Sequence, residues 1–504
     1  MLKNIGSNWT LNVVQILVFM VLTPYTLGAL EERTFGVWEV IVSMTGPLQL
    51  LVLGVPMATV RAVSAKLGKS DHAGANKALG ESITLTLLMG SVALMVGLAL
   101  YALFPSISAG WNLEPDRVTD ARTALLIISV HLAAGFALRL PYAVFDAHQD
   151  FIVRNLIMAG GFFVKLGLTV ALLSWRANLT ALASVQLIVA GIEFAISTTV
   201  SARRHAPVRF RPGPLNWAGA RGILSFSIFA FLLNMGALLA FRLDALVIGN
   251  FMDPEDATVY GLGNKIFDPF INLLLAIGMV VMPMATELRS KGREAEVGDI
   301  FMKWSKVATV LVLMIGGYLM VLGPAFLRWW LPTNSNNELS GRLLQILMLS
   351  FFLFLPVRAV ALPVLMGLGR PKGPALGLLG MGLANLVISV ALVGPYGLVG
   401  VALGTAIPNV LFALWFAGNV CGQLDIHLGD WISYAVLRGA LATLVSVAAL
   451  AAANHFLAFE GFAPLFIAGL AYVALYGALQ VLFVYRGDRY MDLYAALTAK
   501  LRSA

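Results

Sequence analysis

Residues 241–270 read FRLDALVIGNFMDPEDATVYGLGNKIFDPF. The run divides into an apolar helix expected to end near Gly249, a short acidic turn with Asp253, Glu255 and Asp256, and a second apolar helix from near Tyr260. Charges interrupt the apolar parts at Arg242, Asp244, Lys265 and Asp268. Asn264, Asp268 and Asn272 recur at i, i+4 and i+8, so they share one helix face with Lys265 beside them. A charge placed in lipid costs about 2.5–3.5 kcal/mol on insertion scales. Such a face must look into a wet, protein-lined interior, and the stretch reads as a hairpin of two membrane spans.

The rest of the chain has the same character. Of its 504 residues, 59% are hydrophobic and 12% charged, against about 25% charged in soluble domains. Apolar runs of about 18 residues or more recur from end to end, each long enough to span a bilayer. The class is an all-α polytopic membrane protein, because the alternation of a β-barrel is absent. The single cysteine, Cys421, excludes an internal disulfide and a cysteine-based metal site, and the six histidines show no metal-ligand spacing. No metal or cofactor is expected. The net charge of +8 sits in short loops, as the positive-inside rule requires. Membrane lipids, and not nucleic acid, are therefore the expected partners. The first apolar run is too long for a signal sequence and no small-residue cleavage site follows it, so no cleaved leader is expected.

Fourteen spans are expected, near 9–29, 37–62, 79–104, 121–145, 151–174, 179–202, 221–250, 257–287, 302–323, 342–368, 374–394, 397–421, 431–453 and 462–485. An even count puts both termini on one side. Taking that side as cytoplasmic places about 21 Lys and Arg there and about six outside, which orients both termini to the cytoplasm. Seven remain inside the spans: Arg139, Arg154, Lys165, Arg242, Lys265, Arg358 and Arg438. The longest basic connection, RRHAPVRFRPGPLNWAGAR over 203–221, separates two halves. The parts are an N-terminal six-helix lobe over 1–202, a basic cytoplasmic linker over 203–220, a C-terminal six-helix lobe over 221–422, and two additional helices with a cytoplasmic tail over 423–504. Asn216–Arg221 reads as an amphipathic interfacial turn with Trp217 at the headgroups. The eighth connection, Glu287 to Lys306, reads as a cytoplasmic loop of both signs. No outer loop is long enough for a sizeable periplasmic domain.

The halves carry matching motifs. Pro56-Met57-Ala58-Thr59 near the end of the second span is repeated as Pro283-Met284-Ala285-Thr286 near the end of the eighth. Phe35-Gly36 and Tyr260-Gly261 open those spans, with their glycines 20 and 22 residues before the prolines. Leu27-Gly28 and Ile248-Gly249 close the preceding ones. A duplicated 6+6 architecture is expected, and because six is even both copies share one orientation.

The charges inside the spans have bland readings as well as functional ones. Carboxylates there are few: Glu39, Glu193, Asp244 and Asp268. Arg61, near the cytoplasmic end of the second span, and Arg154 and Arg438 can snorkel to lipid phosphates. Lys265 and Asp268 are either a structural ion pair or a binding cation with its counter-ion. Arg242 has Asp244 and Asp268 in reach, and Arg139 has Asp146 at i+7. Arg154 and Lys165, about three turns apart, share a face. Glu193 either neutralises Lys165 or is a proton site. Arg358, mid-span and without a nearby carboxylate in sequence, is a cavity cation or an inter-lobe partner. Asn8, Asn12 and Gln15 make a polar stripe on the first span. Met and Phe residues read as packing, and the Gly-rich eleventh and twelfth spans as close helix contact.

In order and spacing the chain resembles the Wzx-type oligosaccharide flippases, the polysaccharide-transporter branch of the multidrug/oligosaccharidyl-lipid/polysaccharide exporter superfamily. The resembling residues begin with Pro24, Leu27-Gly28, Phe35 to Trp38 and Pro56 to Arg61. Asp244 to Gly249, Tyr260 and Lys265 follow, then Gly369 to Lys372, Asn385 and Tyr396 to Thr405. The match runs over nearly the whole chain. It implies two six-helix lobes in a V around a central cavity, with two added C-terminal helices. It also implies transfer of an undecaprenyl-pyrophosphate-linked oligosaccharide from the cytoplasmic to the periplasmic leaflet of a bacterial inner membrane, for O-antigen, exopolysaccharide or capsule. A diphosphate and a glycan require cations and hydrogen-bonding side chains at membrane depth. The candidates for binding are Arg61, Arg139, Arg154, Lys165, Arg242, Lys265 and Arg358, with Asn12, Gln15, Asn264 and Asn272. Glu39, Glu193, Asp244 and Asp268 are candidates for coupling or charge balance. Implied partners are the lipid-linked oligosaccharide, H+ or Na+ as coupling ion, and the polymerase and chain-length proteins of the pathway, with the transporter a monomer.

Three other functions compete. A drug exporter of the MATE type needs membrane carboxylates for organic cations, and the first carboxylate here is Glu31, beyond the first span. An O-antigen ligase or polymerase carries a large periplasmic loop, which is missing. A lipid II flippase would use the same mechanism on another glycan. No P-loop marks an ATP site, so any energy input is expected from ion gradients, the membrane potential or downstream consumption of the glycan. Without a large periplasmic loop, the chain is not read as an enzyme.

Overall fold

A computed structural model of the chain describes residues 2–52, 55–205, 208–215, 229, 231–333 and 336–495. The interfacial turn expected at Asn216–Arg221 and the start of the seventh span lie outside them. The described elements are helical throughout, as an apolar chain must be when each backbone N–H and C=O has to be satisfied within its own segment. Among the described residues eleven helices are long and apolar enough to cross a membrane, or twelve if the bent pair Phe231–Phe241 and Asp244–Phe251 is one span. Two of these, Thr10–Leu51 and Lys372–Gln423, run to 42 and 52 residues, about twice one crossing. Lys372–Gln423 holds two of the fourteen expected spans, and Thr10–Leu51 holds the first with the opening part of the second.

These long helices fold back at single residues. Helix α1 (Leu2–Thr45) breaks at Glu31, whose φ of 64° and ψ of 158° lie outside the helical region. Such a conformation costs a side-chain-bearing residue about 1–3 kcal/mol and persists where neighbours over-determine it. Here Arg117 lies 3.6 Å from the Glu31 carboxylate, and Arg33 donates to the Trp111 carbonyl. The second span continues past Gly46-Pro47 through a 3-10 turn into α2 (Val55–Leu67).

The chain folds into two compact units. The first comprises Met1–Leu238 and Arg242–Thr258. In it α3 (His72–Ile107) packs on α4 (Pro115–Leu138), a short α5 (Leu140–Ala147) follows, and α6 (Phe151–Trp175) packs on α1 and on α7 (Leu179–Arg204). The described part of the linker belongs to this unit. Val208 and Phe210 pack on Val63, Ala75, Leu79 and Val144. Gly213 N donates to Gly80 O at 3.0 Å, and Thr84 Oγ1 donates to Gly213 O at 2.7 Å. At its root, the rings of His148 and His205 stack 4.0 Å apart. Asp150 receives Arg204 Nε at 2.6 Å. His205 Nε2 stands 3.3 Å from the same carboxylate, too poorly aligned for a hydrogen bond. Further along the chain come α8 (Phe231–Phe241) and, after a bend of 42°, α9 (Asp244–Phe251).

The second unit comprises Leu239–Phe241 and Val259–Ala504. The eighth span is formed by α10 (Pro254–Lys265) and α11 (Phe267–Ser290). It is followed by α12 (Val297–Trp330), α13 (Asn337–Gly367) and α14 (Lys372–Gln423), which breaks at Gly397 with φ 56°. The eighth connection, expected over Glu287 to Lys306, has narrower bounds. α11 reaches Ser290 and α12 starts at Val297, leaving only 291–296 between them. Charges of both signs pair across this short connection, Lys291 with Glu287 at the end of α11 and Arg293 with Glu296 over a 3-10 turn. After the short α15 (Leu428–Trp431), α16 (Arg438–Leu457) and α17 (Phe462–Leu479) pack on α12, burying Leu313, Leu322, Leu450, Leu465, Tyr472 and Tyr476 together.

The paired motifs behave alike locally. Thr59 Oγ1 donates to Val55 O at 2.7 Å and Thr286 Oγ1 to Met282 O at 2.9 Å, each three residues after its proline. Phe35 and Tyr260 are each 2% exposed.

A polar anchor ties the chain after α17 to α12. Lys306, 1% exposed, forms an ion pair with Asp488, donates to Val484 O at 2.8 Å, and lies 4.5 and 4.8 Å from the ring centres of Tyr434 and Tyr485. Burial alone pushes the Asp488 carboxyl up, but Lys306, the Tyr434 hydroxyl and the backbone N–H groups of Tyr490 and Met491 hold it below the usual carboxylate range. Losing one partner of a buried pair costs about 3–5 kcal/mol, because the other charge is stranded. Lys306→Met should therefore lower the unfolding temperature of the purified protein markedly. Lys306→Met/Asp488→Asn, which removes both charges but keeps an acceptor for Tyr434, Tyr490 and Met491, should recover most of the loss; a double variant as unstable as the single one would show that the pair is not the anchor.

The linker root yields a pH prediction. Burial and the adjacent His148 hold the His205 imidazole below its usual value of 6.5. The unfolded imidazole then takes a proton more readily than the folded one, so stability present above about pH 6.5 is lost as pH falls through the lower folded value. Hydrogen exchange across 205–215 should speed up between about pH 7.5 and 5.5 in the native protein and respond less in His205→Phe.

Candidate functional site

In the first unit, the fourth span breaks in the middle of its charged part. α4 ends at Leu138 and α5 begins at Leu140, with Pro141 lacking the N–H that would continue the ladder. The break leaves Arg139 exposed and turns Tyr142 to α7, where its hydroxyl donates to Glu193 Oε2 at 3.0 Å. Gly161 of α6 lies against the Glu193 carboxylate so closely that a Cβ there would collide with it. One turn on, Lys165, together with Arg139, acts electrostatically on both Glu193 and His131. By contact, the structure joins the sequence candidate Glu193 to Tyr142 and Gly161.

Arg154 belongs to a separate arrangement. Its guanidinium pairs with Asp146 at 2.5 Å and donates to Asn155 Oδ1 at 3.1 and 2.9 Å. Asn155 Nδ2 in turn donates to Ser7 Oγ at 3.0 Å. Asp146 is therefore taken by Arg154 and not, as i+7 spacing suggested, by Arg139: the turn at Arg139 carries its side chain away.

The hairpin that decided the fold is broken where its charges begin. The carbonyl of Ala240 accepts from Asn385 Nδ2 at 3.1 Å, and that of Arg242 accepts from Ser43 Oγ. Protein groups thus replace the ladder bonds lost at the bend. Arg242 is exposed and Asp244 is 4% exposed. Beyond them, Gly249 packs on Val40 and its carbonyl accepts from Trp111 Nε1, while Gly36 lies against the Pro254 carbonyl. A side chain at either glycine would collide with those groups. α10 and α11 are separated at Ile266, whose φ of −63° and ψ of −27° remain helical. The polar face therefore continues across the break: Asn264 and Lys265 are half-buried, and Asp268 and Asn272 exposed.

Arg358 stands alone in chemical character. Its guanidinium lies 5.2 and 5.8 Å from the ring centres of Phe241 and Phe354, and among the described residues no carboxylate reaches ion-pair distance of it. On the first span Asn12 and Gln15 are exposed, and the Asn8 side chain lies outside the described residues. Arg61 is exposed on α2 and Glu39 half-buried on α1; neither joins the clusters above. Among the described residues no group of three His, Cys, Asp or Glu is placed to hold a metal ion.

Residues 1–289 match the family model for a polysaccharide biosynthesis protein. That is more than half of the chain, and the chain belongs to this family. No curated protein sequence matches it. Among solved structures it is similar to the lipid II flippase MurJ in an inward closed conformation, with a TM-score of 0.73, 13% identity, and 97% of this chain and 99% of that one covered. It is also similar to an inward-facing MATE family multidrug resistance transporter of the MOP superfamily (TM-score 0.62, 15% identity, 82% and 95% covered). A third is a MOP superfamily transporter from Pyrococcus furiosus, described as having a binding pocket whose reverse polarity suggests a different function (TM-score 0.56, 16% identity, 84% and 94% covered). At these identities the likeness is one of fold: an all-helical, multi-pass membrane protein of the MurJ and MATE type.

Proposed function

We propose that the protein flips an undecaprenyl-pyrophosphate-linked oligosaccharide from the cytoplasmic to the periplasmic leaflet of a bacterial inner membrane, by alternating access of its two lobes, with both termini cytoplasmic. The observation that carries the reading is Arg358: a mid-span arginine that lies over two aromatic rings and lacks a carboxylate partner among the described residues, in a chain of the polysaccharide biosynthesis family. A cation at membrane depth is expensive. Phe241 and Phe354 offset part of that expense by cation–π attraction, about 0.5–2 kcal/mol, while leaving the guanidinium fork available for an anion. A diphosphate accepts such a fork in paired, charge-assisted hydrogen bonds. Lys265, Arg242, Arg139, Lys165, Arg154 and Arg61 add positive potential along the route, with Asn12, Gln15, Asn264 and Asn272 as hydrogen-bonding groups for the glycan. Glu39, Glu193, Asp244 and Asp268 balance charge and supply sites for H+ or Na+. The protein works as a monomer that hands its cargo to the polymerase and chain-length proteins of a surface polysaccharide pathway.

A lipid II flippase is the second reading. It is favoured by the extent of the MurJ likeness, which takes in 97% of this chain where the MATE structure takes in 82%. Both readings share the diphosphate, so both assign Arg358 the same role.

In a host lacking the gene, Arg358→Ala should reduce complementation at least about tenfold at matched protein abundance, and Arg358→Lys should restore it in part, since the charge returns without the bidentate fork. Full complementation by Arg358→Ala would remove the residue from the substrate path.

A further inference from the structure

Glu193 stands in the middle of α7 (Leu179–Arg204) and on the wall of a groove between α6 and α7, about 300 Å³ in volume. Every other residue lining that groove is apolar. Leu156 and Ile196, two of them, are exposed, so the groove is entered over apolar side chains. The two carboxylate oxygens have different surroundings. Oε2 accepts from the Tyr142 hydroxyl of α5 at 3.0 Å. Oε1 lies against Gly161 of α6, where a Cβ would come within 1.9 Å of it, and among the described residues no donor reaches it. Arg139 at the α4–α5 break and Lys165 on α6 act on the carboxylate electrostatically, but no described cation comes within ion-pair distance of it. Asp146 of α5 differs in this respect, being paired with Arg154 at 2.5 Å.

We infer that Glu193 Oε1 is a proton-binding site and that H+ is the ion coupled to transport. The coupling rests on the flippase reading and deepens it by choosing one ion and one carboxylate; the proton site stands without that reading. A carboxylate with apolar walls, one hydrogen bond and no ion pair is costly to keep charged, and such a group neutralises by taking up a proton. The Tyr142 bond favours the ionised form, so both states have support and the group can alternate between them. A hard metal cation needs several oxygen ligands. The groove walls offer no side-chain oxygen besides Glu193, and Tyr142 adds one, which suits a proton and not Na+.

The test treats the full-length protein in phospholipid vesicles with dicyclohexylcarbodiimide, a lipophilic reagent. A protonated carboxyl adds its O–H across one C=N bond and the acyl group then migrates to nitrogen, so the adduct carries the whole reagent and nothing leaves. The adduct should map to Glu193, be absent at Asp146, and fall at least about tenfold in yield as the pH rises from about 6 to about 9. Tyr142→Phe removes the donor that favours the charge, so its labelling should persist to a pH about one unit higher; the reagent's own pH dependence cancels in that comparison. If Tyr142→Phe does not fold, the native profile and the transport measurement decide. In vesicles carrying a lipid-linked oligosaccharide, an imposed pH gradient should change the native flipping rate several-fold, an equal Na+ gradient should not, and Glu193→Gln should lose the response to pH. No adduct at Glu193, or a yield that does not vary with pH, would overturn the proton site. Flipping that follows Na+, or neither gradient, would overturn the coupling. A protein that labels as described but flips no glycan keeps the proton site and fails at the flippase reading instead.

Discussion

Lipid offers no hydrogen bonds where these helices run, so a helix break or a charge there must find its partner in the protein or in a wet cavity within it. The bend at Arg242 is where this constraint bears most directly. The carbonyls of Ala240 and Arg242 accept from Asn385 Nδ2 and Ser43 Oγ, residues far away in sequence. That bend lets a polar segment exist at membrane depth and aims Asp244 inward. The same rule explains Gly36 and Gly249. Their missing side chains let backbone meet backbone or a branched side chain, and the Gly249 carbonyl becomes an acceptor for Trp111.

The rule also sorts the cations. Lys306 is fully committed, enclosed by two tyrosine rings and paired with Asp488, and its work is structural. Arg154 is paired with Asp146 and braced by Asn155. Arg139 and Lys165 share the influence of one carboxylate, Glu193. Arg358 has aromatic faces in place of a counter-ion. The less a cation is neutralised by its own chain, the more its stability at membrane depth depends on a ligand, and an anionic one. This ordering supports a diphosphate-bearing substrate more than the mere number of basic residues does.

Much of the fold was legible because length and apolarity fix spanning helices almost by themselves. The sites of the breaks were legible only in part. The fourth span was expected unbroken over 121–145, and Glu31 gave no sign that a charged residue would adopt a conformation usual for glycine; Arg117 lies 3.6 Å from its carboxylate and Arg33 donates to the Trp111 carbonyl. Arg139, Lys165 and Glu193 could be chosen as charges inside spans, whereas Tyr142 and His131 could not, since neither residue type is unusual in an apolar helix. Asp146 shows the limit of spacing: i+7 offered Arg139, and the turn between α4 and α5 gave it to Arg154. Lys306 looked like loop because charges crowd its approach, yet α12 begins nine residues earlier, and the partner that buries it lies 182 residues away.

The central claim is movement of a diphosphate-linked glycan between leaflets. The most direct measurement reconstitutes the purified protein in vesicles with a fluorescent polyprenyl-diphosphate-linked oligosaccharide in both leaflets and follows its modification by an enzyme added outside. The account predicts that nearly all of the glycan becomes accessible with the native protein, that only the outer-leaflet share does so in protein-free vesicles, and that Arg358→Ala resembles the latter. Accessibility that stays at the outer-leaflet share with well-folded native protein, with or without an imposed ion gradient, would contradict it.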